Sequence, residues 1–245
     1  MIRHLLVIGA QRSGTTYLQS LLDSNPDITM ARPSRPEPKV FCDAEASAKG
    51  ARWYRETYFA HASTEHLLGE KSTSYIEDAA APGRAAAMLG EAHIVVMLRD
   101  PVERAVSNWR FSTQNGLETR PLETALRENL TQETPWDPES TSVSPFAYLE
   151  RGRYIDYLAP WIASFPNTMH VVFLEELVED GSIVERLWKD LGVDAGAGPA
   201  PPPEAVNRSE GDAPALTDQL LGTLKSYYEA SNRSLCAHLG RTVPW

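Results

Sequence analysis

Along the chain, short uninterrupted apolar runs alternate with segments whose apolar positions recur every three or four residues. Leu5-Leu6-Val7-Ile8 is one such run, and Ile94-Val95-Val96-Met97-Leu98 and Val171-Val172-Phe173-Leu174 are two more, with shorter candidates at 27–30 and 66–69. Continuous apolar runs, as opposed to alternating ones, suit parallel strands covered on both faces. Between them, Leu18, Leu21 and Leu22 share a helix face that ends near Asn25-Pro26, and Leu158, Ile162 and Phe165 share one within 154–165. Leu216, Leu220 and Leu224 are spaced by four, followed by Leu235 and Leu239. This alternation predicts an α/β fold, a doubly wound parallel sheet with right-handed crossovers and helices on both faces. Two stretches break the pattern. Residues 195–206 are mostly Gly, Pro and Ala, and 131–145 are rich in Thr, Ser and Pro around Trp136. Both are expected to be flexible loops within a single domain spanning 1–245.

Composition narrows the partners. Hydrophobic residues at 42% and charged ones at 23% describe an ordinary globular chain with ample core. Lys plus Arg is 23 against 33 for Asp plus Glu, a net charge of -10, which argues against nucleic acid or an anionic membrane as partner. A polyanionic polymer is an awkward substrate for the same reason, whereas a few local cations suffice for a small anion. Cys42 and Cys236 form no CxxC and the histidines are scattered, so no metal site is expected. The apolar run at 5–10 is too short for a signal core, and no run approaches the ~20 residues of a membrane helix. The expectation is a soluble, cytoplasmic protein.

The strongest local signal is Gly9-Ala10-Gln11-Arg12-Ser13-Gly14-Thr15-Thr16, directly after the first strand and opening a helix. Free N–H groups and the positive end of the helix dipole converge there, making an anion site. The spacing matches GxxxxGK[ST] except that Thr15 stands where the lysine would be. Without the lysine that reaches the β- and γ-phosphates, this P-loop-like turn suits a 5′-phosphate better than a triphosphate. Arg12 offers a different cation for the oxyanion.

A second signal is Leu98-Arg99-Asp100-Pro101-Val102-Glu103-Arg104-Ala105-Val106-Ser107. Asp100 is placed to cap a helix and Pro101 to fill its first turn. Arg99 then lies at the carboxyl edge of the sheet, where open α/β folds bind ligands, and Ser107 about two turns into the helix. An arginine and a hydroxyl suit a second phosphate. The bland alternative is a surface arginine paired with Asp100.

Together these segments resemble the family of sulfotransferases that use 3′-phosphoadenosine 5′-phosphosulfate (PAPS), in particular its bacterial and carbohydrate, heparan-type members. GAQRSGTTYL resembles the 5′-phosphosulfate loop and LRDPVERAVSNW the 3′-phosphate motif. Weaker echoes are GEKSTSYI at 69–76, RGRYIDYLAPW at 151–161, NRSEG at 207–211 and the terminal GRTVPW. The resemblance implies that Arg12, Ser13, Gly14, Thr15 and Thr16 hold the 5′-phosphosulfate, and that Arg99 and Ser107 hold the 3′-phosphate. Arg208 and Gly211 match the segment that closes over the nucleotide, although Glu210 stands where some relatives have lysine. Many relatives also carry lysine in place of Arg12, a charge-conserving change that removes a proton donor.

Sulfuryl transfer to an alcohol requires a base and cations for the leaving phosphate, and no metal. The base implied is Glu37, in RPEPKVF, which resembles a KEPHFF-type segment with Lys39 and Val40 in place of histidine and phenylalanine. Lys39 would weaken Glu37 as a base or help to bind the acceptor; alternatively Glu37 is a solvated loop carboxylate. Lys71, after a strand candidate, is expected to stabilise charge on the bridging oxygen, or else to pair with Glu70 or Asp78. His66 is the one histidine placed as a substitute base. Trp53, Tyr54, Tyr58 and Phe59 read as core in preference to an acceptor platform, with the loop around Trp136 the better lid. The acceptor expected is a hydroxyl of a neutral or cationic small molecule or of a carbohydrate. Ala- and Pro-rich composition points to a bacterial source. The rival readings are an ATP-dependent small-molecule kinase with a degenerate P-loop and a non-catalytic nucleotide-binding module.

Overall fold

The computed structural model describes residues 3–137, 143–194 and 214–245. The chain divides into two compact units, Met1–Leu98 with Leu158–Asn207, and Arg99–Tyr157 with Arg208–Trp245. The proposed loop at 195–206, together with Arg208 and Gly211, lies outside the described residues, as does the middle of the loop at 131–145.

The first unit carries all five strands found among the described residues: β1 (Arg3–Gly9), β2 (Ile28–Met30), β3 (Leu67–Lys71), β4 (His93–Leu98) and β5 (Met169–Phe173). They form one parallel sheet in the order β2-β3-β1-β4-β5. The chain fills one side of β1 with β2 and β3, then crosses to the other side for β4 and β5, so the doubly wound expectation holds and the winding reverses at β1. Helices α1 (Thr15–Asp23), α2 (Ala44–Ala48), α3 (Gly50–Tyr58), α4 (Ala81–Leu89), α8 (Leu174–Glu179) and α9 (Ser182–Asp190) belong to this unit.

Every residue from Leu5 to Ile8 is fully buried, as continuous apolar strands require when both faces are covered. On one face Leu5, Val7, Val95 and Met97 pack with Leu18, Leu21 and Leu22 of α1 and with Leu177, Leu187 and Trp188. On the other, His4 meets Tyr54 and Phe59 at the end of α3. An aromatic chain continues there from Tyr54 through Phe41 and Tyr75 to Trp161.

Two expectations shift. Leu174 opens α8 and does not extend β5, because Glu175 and Glu176 favour a helical first turn and Leu177 then reaches the core. In α7 (Tyr154–Ser164) Trp161 takes the fully buried place expected of Ile162, its indole N–H donating to the Tyr75 carbonyl at 3.3 Å.

The second unit is helical, with α5 (Pro101–Gln114), α6 (Leu122–Asn129) and α10 (Asp218–Leu239). Asp100 caps α5 through the Val102 and Glu103 N–H groups, at 2.8 and 3.3 Å, and Pro101 occupies the first turn. Its core joins Val102, Leu122, Leu126 and Tyr148 with Leu220, Leu224 and Tyr228 of α10. No helix among the described residues is long and apolar enough to cross a membrane.

Candidate active site

The loop leaving the central strand is held by main-chain bonds. Ala10 N–H donates to the Met97 carbonyl of β4 at 2.8 Å, and Ser13 N–H to the Ala10 carbonyl at 3.3 Å. Arg12 (φ 67°) and Gly14 (φ 84°) both take the left-handed conformation, and α1 starts at Thr15. The positive φ favours glycine at 14, and a Cβ there would lie 2.9 Å from the Leu174 side-chain tip, which would have to shift. The first turn of α1 carries no acidic residue, and its N–H groups have no acceptors within the helix. Ser13 is fully buried, and its hydroxyl has no hydrogen-bond partner among the described residues. An oxyanion fits this loop: the turn aims donors at one place, and a buried hydroxyl without a partner is a cost that an incoming acceptor removes.

The second centre gathers two separate stretches, around Glu37 and at 71–73. β3 ends at Lys71, whose ammonium bonds and ion-pairs with Glu37 Oε1 although the two residues are 34 positions apart. Glu37 Oε2 accepts the Thr73 N–H at 2.9 Å, and the Thr73 hydroxyl lies 3.1 and 3.3 Å from the two carboxylate oxygens. Both charged side chains are largely buried, at 9% exposure for Lys71 and 18% for Glu37. The solvated-carboxylate alternative for Glu37 is therefore overturned. Lys71 pairs with neither Glu70 nor Asp78. Adjacent residues of a strand face opposite ways, and Asp78 instead receives the Ala80 and Ala81 N–H groups and lies 3.8 Å from Arg84.

Behind this cluster, Glu70 is fully buried and accepts three hydroxyls: Tyr54 at 2.5 Å, Ser72 at 2.6 Å and Tyr75 at 2.6 Å. Burial pushes its carboxyl above the ordinary 4.5, opposed by those hydroxyls and reinforced by the charge of Glu37. Lys39 is left-handed (φ 51°), and its N–H donates to Ser72 Oγ at 2.9 Å. The ion-pair partner of Glu37 is thus Lys71, and Lys39 enters the network through its backbone.

Other candidates are placed as follows. In the helical unit Arg99 pairs with Glu103 at 3.2 Å, not with Asp100, while its carbonyl accepts the Tyr154 hydroxyl at 2.7 Å. Ser107 is half-buried on the second turn of α5. His66 is exposed and precedes the first residue of β3, at the opposite end of the strand from Lys71. Five residues of strand put it ~16 Å from the base cluster, so it cannot substitute for Glu37. Tyr54 and Phe59 are core, as expected, whereas Trp53 is half-buried beneath the Lys49 ammonium at 4.6 Å. Trp136 is half-buried, and the loop's end is anchored by the Pro145 carbonyl, which accepts Asn108 at 3.2 Å and Ser112 at 2.7 Å. Sequence reasoning passed over Thr73, Ser72 and Tyr75 as individuals and read Glu70 only as a possible partner of Lys71. The cluster of hydroxyls directly after β3 was the signal available.

Comparison with known proteins shows the family. The sulfotransferase domain family matches residues 3–198. The chain is similar to mouse heparan sulfate glucosamine 3-O-sulfotransferase 3B1, 25% identical over 98% of this chain and 64% of the relative. It is also similar to mouse bifunctional heparan sulfate N-deacetylase/N-sulfotransferase 4, 30% identical over 77% of this chain and 22% of the relative. The chain thus spans less than two thirds of the length of these curated relatives. In three dimensions it is similar to a sulfotransferase from Alicyclobacillus acidocaldarius, with a TM-score of 0.78 and 20% identity over 99% of this chain and 98% of the other, a likeness of fold.

Proposed function

Because the chain belongs to the sulfotransferase family, we propose that it transfers the sulfuryl group of PAPS to a hydroxyl of a small-molecule or carbohydrate acceptor, with Glu37 as base. The observation that carries this reading is the convergence of Glu37, Lys71 and Thr73 beyond the carboxyl end of β3. Bound PAPS supplies the activated sulfur and a phosphate leaving group.

The residues of this chain divide the remaining work. Arg12, Ser13, Gly14, Thr15 and Thr16 form the loop that would hold the 5′-phosphosulfate. Arg99 and Ser107 are assigned to the 3′-phosphate, and Arg208 and Gly211 to nucleotide closure, each by its match to the family motif. A carboxylate offers about four lone-pair sites, of which the Lys71 ammonium and the Thr73 N–H and hydroxyl use three. One remains for an acceptor hydroxyl, whose proton Glu37 would take. Protonation removes the charge that holds Lys71, so the ammonium becomes available to negative charge developing on the leaving oxygen.

The names of the curated relatives specify heparan sulfate, a polyanion. A net charge of -10 supports a neutral or cationic acceptor here. The test is thermal unfolding with 3′-phosphoadenosine 5′-phosphate beside 5′-AMP, ADP and Mg·ATP, followed by PAPS turnover on a panel of alcohols. At a hundred times Kd a specific ligand adds about 2.7 kcal/mol, several degrees in a chain of this size. A shift with the bisphosphate is expected. A shift with Mg·ATP alone would sink the reading in favour of a kinase.

A further inference from the structure

Glu37 sits on a stretch that forms neither helix nor strand, yet a base must be held within a fraction of an ångström to work. Its carboxylate is fixed by Lys71 and Thr73, but those contacts do not explain what holds its backbone. The segment that follows supplies the answer. The Lys39 N–H donates to Ser72 Oγ at 2.9 Å, and the Phe41 N–H to the Tyr75 hydroxyl at 3.2 Å. An N–H can only donate, so each hydroxyl oxygen accepts and its own hydrogen is left for another partner. In both cases that partner is Glu70 Oε1, at 2.6 Å from Ser72 and 2.6 Å from Tyr75. The left-handed turn at Lys39, a conformation most residues avoid, is therefore held by two struts that meet on one oxygen.

We propose that Glu70 is a positioning residue for the base: through the Ser72 and Tyr75 hydroxyls it fixes the backbone at residues 39–41 and so seats Glu37 against Lys71. The strand makes this division possible. Consecutive residues of β3 face opposite ways, so Lys71 is delivered to the Glu37 carboxylate while Glu70 is delivered to the struts behind it. The catalytic consequence rests on the sulfotransferase reading; the strut itself does not.

Tyr54 provides the control. Its hydroxyl also bonds Glu70, at 2.5 Å, but on the other oxygen, Oε2, and it lies off the path to residues 39–41. Tyr75→Phe, Ser72→Ala and Tyr54→Phe each delete one hydrogen bond to the same carboxyl. Amide hydrogen exchange at Lys39 and Phe41 is expected to accelerate in Tyr75→Phe and Ser72→Ala and to stay at the wild-type rate in Tyr54→Phe. PAPS turnover should fall about tenfold in kcat for the first two, with KM for PAPS within twofold, and Tyr54→Phe should keep wild-type kcat at a comparable loss of Tm. Glu70→Gln should retain the pinning, because its amide oxygen can accept both struts and its amide N–H₂ can donate to Tyr54; Glu70→Leu should lose it. Unchanged exchange at 39 and 41 in the strut variants would overturn the proposal, as would equal loss of kcat in Tyr54→Phe and Tyr75→Phe. If the variants show the exchange pattern but the wild-type protein neither binds the bisphosphate nor turns over PAPS, the sulfotransferase reading is defeated and the strut stands.

Discussion

The phosphate loop and the Glu37 cluster lie beyond the ends of neighbouring strands, β1 and β3, but they are built by opposite rules. In the loop, a buried hydroxyl is left for an incoming acceptor. The Ser13 hydroxyl is buried without a partner among the described residues, and no acid occupies the first turn of α1. In the cluster every strong group is answered internally: carboxylate by ammonium, carboxylate by main-chain N–H, and backbone by hydroxyls backed by Glu70. A site that binds an anion is best left unsatisfied, because the ligand then relieves a cost already present in the fold. A site that moves a proton needs its groups held in place, and its working state arises by exchanging one partner for another.

The hardest test of this contrast is Glu37→Gln. The amide keeps the shape but has one accepting oxygen where the carboxylate has two, so its N–H₂ faces either the Lys71 ammonium or the Thr73 N–H, and it cannot take a proton. Turnover should fall by 10² to 10⁴ in kcat, while the stabilisation conferred by the bisphosphate stays unchanged. Activity within a few-fold of wild type would remove Glu37 as the base and leave its cluster a structural ion pair.

Lys71→Ala should cost about 10² in kcat, measured in a single turnover. It strips a largely buried carboxylate of its cation and leaves Arg12 as the remaining cation assigned to the leaving group. If chemistry in a single turnover survives and only the acceptor KM rises, Lys71 belongs to acceptor binding.

How far each region was legible in the sequence follows from the same contrast. The phosphate loop is contiguous: Gly9, Arg12, Gly14 and Thr15 lie within one strand–turn–helix, so local spacing reveals it. The strands follow from continuous apolar runs for the same reason. The Glu37–Lys71 pair spans 34 residues, and no periodicity links the two. Resemblance named Glu37 and the end of a strand named Lys71, but only the fold joined them. Part of the error was avoidable. Glu70 could not have been the partner of Lys71, since neighbours in a strand face apart. His66 could not have been near Lys71 once the direction of β3 was assigned. The Ser72 and Tyr75 struts were not readable at all, because they depend on how the irregular stretch at 37–39 enters the single 3₁₀ turn at Val40–Cys42.

Gly14→Ala probes the loop through its backbone. Alanine in the left-handed conformation costs ~1–2 kcal/mol, and its Cβ would press on Leu174 Cδ1 at 2.9 Å. The expected outcome in differential scanning calorimetry is a Tm lower by a few degrees, with bisphosphate affinity lower about tenfold in titration. Wild-type affinity at reduced Tm would mean that the turn is structural and does not shape the anion site.

Ser13→Ala is the smallest perturbation and separates the two designs by sign. Deleting a hydroxyl that a protein partner satisfies destabilises the fold, whereas deleting one left buried and unpaired relieves a desolvation cost of ~1–3 kcal/mol. The ligand-free protein should therefore keep its Tm or gain a degree or two, while the bisphosphate binds several-fold more weakly because one donor is gone. Stability and affinity move in opposite directions only if the loop is poised for a ligand. Should both fall together, the hydroxyl is satisfied from within, and the phosphate loop obeys the same rule as the Glu37 cluster.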